Sequence, residues 1–273
     1  MYLSLRNSRV KLSVGQIFWR EIGSGADVVF LHGSLHDSAQ WLPVIERLGA
    51  DYHCFAPDLL GFGESEPAAR KIHYSIELEV ECLAEYLETL KLRQFYLVAH
   101  SLGGWIAASY ALKYSDRVLG LILLAPEGLK VGSFKQRWLW ARWLRVLPTA
   151  GLGVLRSLFP VARILGVQKK LEELIQLKQG LSKSPAAAKL LFDRRQVEIQ
   201  GELLDDRACW LKIPMLILQG SEDKPVSLSL SQSYAGLAPK AEMQVVSGGG
   251  SNLPQEVPEA IAQHIRKFIS QYY

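Results

Sequence analysis

The residues with the clearest chemical potential lie in the stretch Val98-Ala99-His100-Ser101-Leu102-Gly103-Gly104. An apolar run, Phe95 to Val98, leads into it, and a small-residue segment that reads as a helix over Trp105 to Leu112 leaves it. A serine set between a strand and a helix, with small residues two before and two after it, predicts a sharp, strained turn that pushes the hydroxyl into the open. Gly103 keeps the small residue after the serine, and Ala99 stands where glycine is usual before it. A serine hydroxyl is a weak nucleophile at neutral pH and needs a base beside it. A carbonyl under attack needs donors aimed at the oxygen that becomes charged.

Such a turn must be held by a sheet, and the hydrophobic pattern supplies one. Arg9 to Ile22 alternates apolar and polar residues around Gly15, the pattern of an antiparallel strand pair. Short apolar runs at Val28 to Leu31, Tyr52 to Ala56, Val118 to Leu124, Pro214 to Leu218 and Glu242 to Val246 read as further strands. Helices are expected over Trp41 to Leu48, over Ile76 to Leu90 with Ile76, Val80, Leu83 and Leu87 on one face, and over Ala260 to Tyr272. Strands alternating with helices predict an α/β fold with a mostly parallel sheet covered on both faces. Ligands in such sheets bind beyond the carboxyl ends of the strands, where the loops after His32, Asp58, Ser101, Glu127, Gly220 and Gly248 all emerge.

Four motifs in order, Phe30-Leu31-His32-Gly33, Asp58-Leu59-Leu60-Gly61-Phe62-Gly63-Glu64-Ser65, the turn around Ser101 and Gly220-Ser221-Glu222-Asp223, resemble those of the α/β-hydrolase superfamily, in its branch with a helical cap. The resemblance covers essentially the whole chain. It implies an α/β-hydrolase core over residues 1–128 and 209–273 and a helical cap over 129–208. It makes Ser101 the nucleophile and assigns the oxyanion-hole N–H groups to Ser34 and Leu102. Asp223 becomes the triad acid, with Glu127 as the alternative acid or a residue lining the pocket. His32 and His100 are expected to brace loops, while His36 either faces the site or lies on the surface.

One feature departs from the family. Relatives carry a Gly-His step after the last strand, and this chain reads Gly249-Gly250-Ser251-Asn252-Leu253-Pro254, with Ser251 where the histidine belongs. The histidines are His32, His36, His53, His73, His100 and His264, and His264 falls inside the closing helix. A hydroxyl cannot accept a proton as imidazole does. Loss of the base costs such a triad on the order of 10⁴ to 10⁶ in turnover. The expected function is therefore a serine hydrolase acting on a hydrophobic carboxylic ester through an acyl-enzyme on Ser101, strongly impaired by Ser251, which is either natural or engineered. The alternative is a non-catalytic relative that binds an apolar small molecule under the cap. A dehalogenase is disfavoured, because its nucleophile would be aspartate where this chain has Ser101.

Composition sets the remaining bounds. The chain has 273 residues, of which 49% are hydrophobic, enough for a large core. Its net charge is +4, unevenly spread: residues 129–208 hold 15 Lys and Arg against 7 Asp and Glu, and the remainder 16 against 20. A basic cap on a mildly acidic body suits either a solvated lid or an anionic surface. The cap is also rich in Trp138, Trp140, Trp143 and aliphatic residues. These residues pack against the core, line a tunnel for a long acyl or prenyl chain, or give peripheral contact with a membrane. No nucleotide loop or metal spacing is present, so no cofactor, no metal and no nucleic-acid partner is expected. Cys54, Cys82 and Cys209 are odd in number and lack metal-like spacing. With no charged leader at the start, they predict a cytoplasmic protein with free thiols.

Overall fold

A computed structural model describes residues 4–69, 71–132, 153, 157–164, 166–191 and 193–272. Its centre is an 8-stranded sheet of order β1-β2-β4-β3-β5-β6-β7-β8. The strands are β1 (Arg6–Lys11), β2 (Gln16–Ile22), β3 (Ala26–Leu31), β4 (Tyr52–Pro57), β5 (Phe95–His100), β6 (Val118–Leu124), β7 (Met215–Gly220) and β8 (Ala241–Val246). β1 and β2 form the expected antiparallel hairpin, and β2 joins β4 antiparallel. From β4 to β8 every pairing is parallel.

The helices of the core are α1 (Leu42–Leu48), α2 (Ile76–Thr89) and α3 (Leu102–Lys113). In the segment between β6 and β7 the described helices are α4 (Phe159–Ile164), α5 (Gln168–Lys183), α6 (Pro185–Leu191) and α7 (Gln196–Glu202). After β7 come α8 (Pro225–Leu237), α9 (Leu253–Glu256) and α10 (Pro258–Tyr272). Two differences from the sequence reading bear on the site. α3 starts at Leu102, directly after the serine, rather than at Trp105. The serine-rich stretch that forms α8 carries little apolar periodicity, so it left no helical signal in the sequence.

Period-2 alternation divides the buried strands between two cores. Val28, Phe30, Tyr96, Val98, Ile122 and Leu124 pack with α1 and α10. Val29, Leu31, Leu97, Ala99, Leu121 and Leu123 face the other way, onto α2, α3 and α8. Both faces are dry, which is why these strands are near-continuous apolar runs. Among the described residues of 129–208 the secondary structure is helical, with no strand. Trp138, Trp140 and Trp143, on which the tunnel and membrane expectations rest, lie outside the described residues. No helix among the described residues is long and apolar enough to cross a membrane.

The fold presses α3 hard against the end of β3. A Cβ on Gly103 would lie 2.6 Å from the His32 carbonyl oxygen and 2.7 Å from that of Leu31. Both are backbone atoms that cannot swing aside. Gly103→Ala is therefore expected to destabilise the protein by about 1–3 kcal/mol through overpacking. Gly201→Ala, at the helical position in α7 where a Cβ meets nothing within 4 Å, is expected to add about 0.5–1 kcal/mol. Urea unfolding of the two variants checks the contrast, and equal midpoints would contradict it.

Candidate active site

β5 ends at His100 and α3 begins at Leu102, so Ser101 alone makes the turn. Its backbone lies at φ 51°, ψ −113°, a conformation that costs a non-glycine residue on the order of 1–3 kcal/mol. Neighbouring backbone holds it there. Ser101 N–H donates to the Leu124 carbonyl at 3.0 Å, and the Ser101 carbonyl accepts the Glu127 N–H at 3.0 Å. Close packing adds to the clamp: a Cβ on Gly104 would stand 3.0 Å from Pro126 Cβ. The carboxyl end of β6 thus grips the turn from both sides, and the serine remains only half-buried.

The loop after β3 approaches from the opposite side. A Cβ on Gly33 would fall 2.6 Å from His100 Nδ1 and 3.5 Å from Ser101 Cβ, so only glycine permits the approach. The next residue, Ser34, is thereby carried to the serine turn. Among the described residues, neither the Ser34 N–H nor the Leu102 N–H has a hydrogen-bond partner. The second motif braces this loop. The buried Asp58 carboxylate accepts Ser38 N–H at 2.6 Å and Glu64 N–H at 2.7 Å. His32 Nε2 accepts Leu59 N–H at 3.0 Å, which leaves its Nδ1–H to donate to the Gly33 carbonyl at 2.9 Å. His32 is therefore a brace, as expected.

A network centred on Gln40 joins these loops to Ser251. Gln40 Oε1 accepts Gly33 N–H at 3.0 Å. Its Nε2 donates to His100 Nδ1 at 3.0 Å and to Asn252 Oδ1 at 2.8 Å. His100 Nε2 then donates to the Ser251 carbonyl at 2.8 Å. Every ring nitrogen and amide atom of His100 and Gln40 is used, which assigns the His100 tautomer. Burial, reinforced by the neighbouring His36, pushes the His100 pKa down to about 3, so the ring is neutral. The sequence offered no sign of Gln40 or Asn252, because they meet only in the folded chain.

Asp223 lies on the loop after β7, half-buried. Its Oδ2 accepts Gln219 Nε2 at 3.0 Å and its Oδ1 accepts Lys224 N–H at 2.7 Å. Gln219 is itself fixed by the Ser231 hydroxyl at 2.7 Å. Glu222 N–H donates to the Gly249 carbonyl at 2.8 Å, and a Cβ on Gly220 would lie 2.4 Å from that same oxygen. The Asp223 loop and the Ser251 loop are thus stapled backbone to backbone. Ser251 is exposed. Glu127 contributes backbone to the site: its N–H holds Ser101, and its carbonyl accepts the Tyr234 hydroxyl at 2.8 Å. Among the described residues no cluster of His, Cys, Asp and Glu is arranged to hold a metal.

A family model described as "alpha/beta hydrolase fold" matches residues 28–254. The chain belongs to the α/β-hydrolase family. This α/β-hydrolase is 29% identical over 258 residues to the 2-hydroxymuconate semialdehyde hydrolase of Pseudomonas sp. (strain CF600), covering 91% of this chain and 88% of that one. It is 37% identical over 126 residues to a mouse (Mus musculus) 1-acylglycerol-3-phosphate O-acyltransferase, a match that spans 44% of this chain and only 36% of the mouse protein. A thermophilic esterase from Thermogutta terrifontis superposes with a TM-score of 0.74 at 24% identity, over 97% of this chain and 99% of the other. At that identity the likeness is one of fold.

Two outcomes test the positioning network. Gln40→Leu leaves the Gly33 N–H, His100 Nδ1 and Asn252 Oδ1 without their partner and is expected to cost about 2–4 kcal/mol. A loss under about 0.5 kcal/mol in urea unfolding, the range of an ordinary surface change, would contradict it. Glu79, wholly buried on α2, accepts Leu60 N–H at 3.2 Å and so steadies the Asp58 loop. Burial raises its pKa from 4.5 to about 8. The folded protein then keeps a proton that the unfolded chain releases, so stability falls as pH rises through that window. Glu79→Gln is expected to match the parent near pH 4 and to exceed it by about 2–4 kcal/mol at pH 8. Denaturant midpoints at the two pH values check this, and parallel curves would contradict it.

Proposed function

We propose that the protein is a serine hydrolase for a hydrophobic carboxylic ester, with Ser101 as the acyl-carrying nucleophile. The observation that carries this reading is the Ser101 backbone, held at φ 51° by bonds from β6 and the loop after it, with the unbonded Leu102 N–H beside it. Strain of this kind persists only where the surroundings enforce it, and it clusters at functional sites. Ser34 and Leu102 N–H are the oxyanion donors, and Asp223 is the acid. The O-acyltransferase among the similar proteins supports acyl chemistry at this serine. The cap helix α6, whose Ala186, Ala187 and Leu190 join the main core, supports a hydrophobic rather than a polar substrate.

In this reading Ser251 occupies the place of the family's histidine. Its carbonyl is tethered by His100 and its loop is stapled to that of Asp223, so the position is built even though the imidazole is missing. Asp223 is satisfied instead by Gln219, an arrangement that also suits a protein that binds its ligand without turning it over.

Ser251→His decides between them. Hydrolysis of p-nitrophenyl esters from short to long acyl chains is expected to rise at least about a thousandfold in the variant. The chain length with the highest kcat/KM then sizes the site. Rates that stay at background in a folded Ser251→His protein would make ligand binding the function.

A further inference from the structure

If Ser101 is a nucleophile, something must take its proton, and the histidines can be sorted by what their nitrogens already do. His32 is bonded at both, to the Gly33 carbonyl and the Leu59 N–H. His100 is likewise bonded at both, to Gln40 and to the Ser251 carbonyl. His53 pairs with Asp27 near the start of β3 and β4, at the amino ends of the strands, away from Ser101. His73 pairs with Glu198 of α7. His264 lies in α10, on the far side of the fold from α3.

His36 shares with His264 the lack of any bonded ring nitrogen among the described residues, but it lies on the loop that meets the serine turn. Among the described residues neither of its ring nitrogens has a hydrogen-bond partner, although the side chain is more than half covered. Its N–H donates to the Gly33 carbonyl at 3.1 Å, closing a tight turn that folds it back on the residue whose Cβ would nearly touch Ser101. Its ring centroid lies 6.2 Å from that of His100, the residue before Ser101. Leu35, its neighbour, packs against Gly180 of α5, so this turn lies at the seam between the cap and the core. Burial, with His32 nearby, pushes the His36 pKa down to about 4, so the resting ring is neutral and a weaker base than a free imidazole.

We propose that His36 is the general base for Ser101 in this chain, standing in for the imidazole missing at position 251; the inference rests on the function proposed above. As Ser101 Oγ bonds to the ester carbonyl carbon, its proton passes to the His36 ring, and the carbonyl π pair moves onto oxygen facing the Ser34 and Leu102 N–H groups. Collapse breaks the bond to the alcohol oxygen, which leaves with the proton from His36. A water then adds to the acyl carbon and gives its proton to His36, and Ser101 Oγ departs and takes that proton back. The ring ends neutral, and one ester and one water have become one acid and one alcohol. A base must come within hydrogen-bond reach of the proton it takes, directly or through one water, and such contacts tighten when substrate binds.

The test compares four proteins: the parent chain, His36→Gln, Ser251→His and the double variant, with Ser101→Ala as background. The readouts are hydrolysis of p-nitrophenyl butyrate and the rate at which a fluorophosphonate labels Ser101. His36→Gln is expected to lower both at least tenfold in the parent chain without shifting the melting temperature. In the Ser251→His background it is expected to change them less than threefold, because the installed imidazole takes over the proton. Equal losses in the two backgrounds would mean that His36 only shapes the loop, and the proposal falls. It falls also if His36→Gln leaves the parent chain's rates unchanged, or if that chain is no faster than Ser101→Ala. A Ser251→His protein with no Ser101-dependent rate overturns the hydrolase reading itself, which separates the two failures.

Discussion

The structure depends on one strained residue. Ser101 is held with positive φ at a junction where strand passes into helix with no loop between them. Everything within reach of the turn is arranged to make that state the only one available. β6 supplies an acceptor for its N–H, and the loop after β6 supplies a donor for its carbonyl. Glycines at 33, 103 and 104 remove the side chains that would hold neighbouring segments away. The cost, on the order of 1–3 kcal/mol, is offset by the cores on both faces of the sheet, which fix β5 and α3 independently of the turn. In the proposed function, the hydroxyl then stands beside backbone donors that need no rearrangement before they meet a developing charge.

Around that turn the chain keeps its imidazoles neutral. His32 and His100 are wholly buried and bonded at both nitrogens, and His36 is half-buried between them. In such surroundings desolvation outweighs the nearby carboxylates Asp58 and Asp37, and the protons are shed. Two rings then act as struts, each with one donor and one acceptor pointing at backbone or amide. The Gln40 amide ties the His100 strut to the Asn252 side chain, so the loop after β3, the serine turn and the Ser251 loop move as one unit.

Much of this was legible in the sequence, for identifiable reasons. Buried parallel strands are continuous apolar runs, so Val28 to Leu31 and Val118 to Leu124 announced themselves. The sharp turn was visible because its steric demands fall on adjacent positions, Ala99 and Gly103. What stayed hidden depends on contacts between distant positions. Gln40 and Asn252 are 212 residues apart, and nothing local marks either of them. Gln219, which holds Asp223, looks like any polar residue at a strand end. The start of α3 was read late because Gly103 and Gly104 are poor helix formers, yet the turn requires the helix to begin at once. His36 was left between site and surface, and only the fold of the Gly33 to His36 turn places it beside His100.

The central claim is that the Ser101 hydroxyl and the Ser34 and Leu102 N–H groups form one oxyanion-stabilising site. The most direct measurement is a crystal structure of the Ser251→His protein after reaction with diethyl p-nitrophenyl phosphate. The expected result is a phosphoryl group bonded to Ser101 Oγ, with one oxygen about 2.7–3.1 Å from both N–H groups. An adduct on another residue, or a phosphoryl oxygen turned away from both N–H groups, would contradict it.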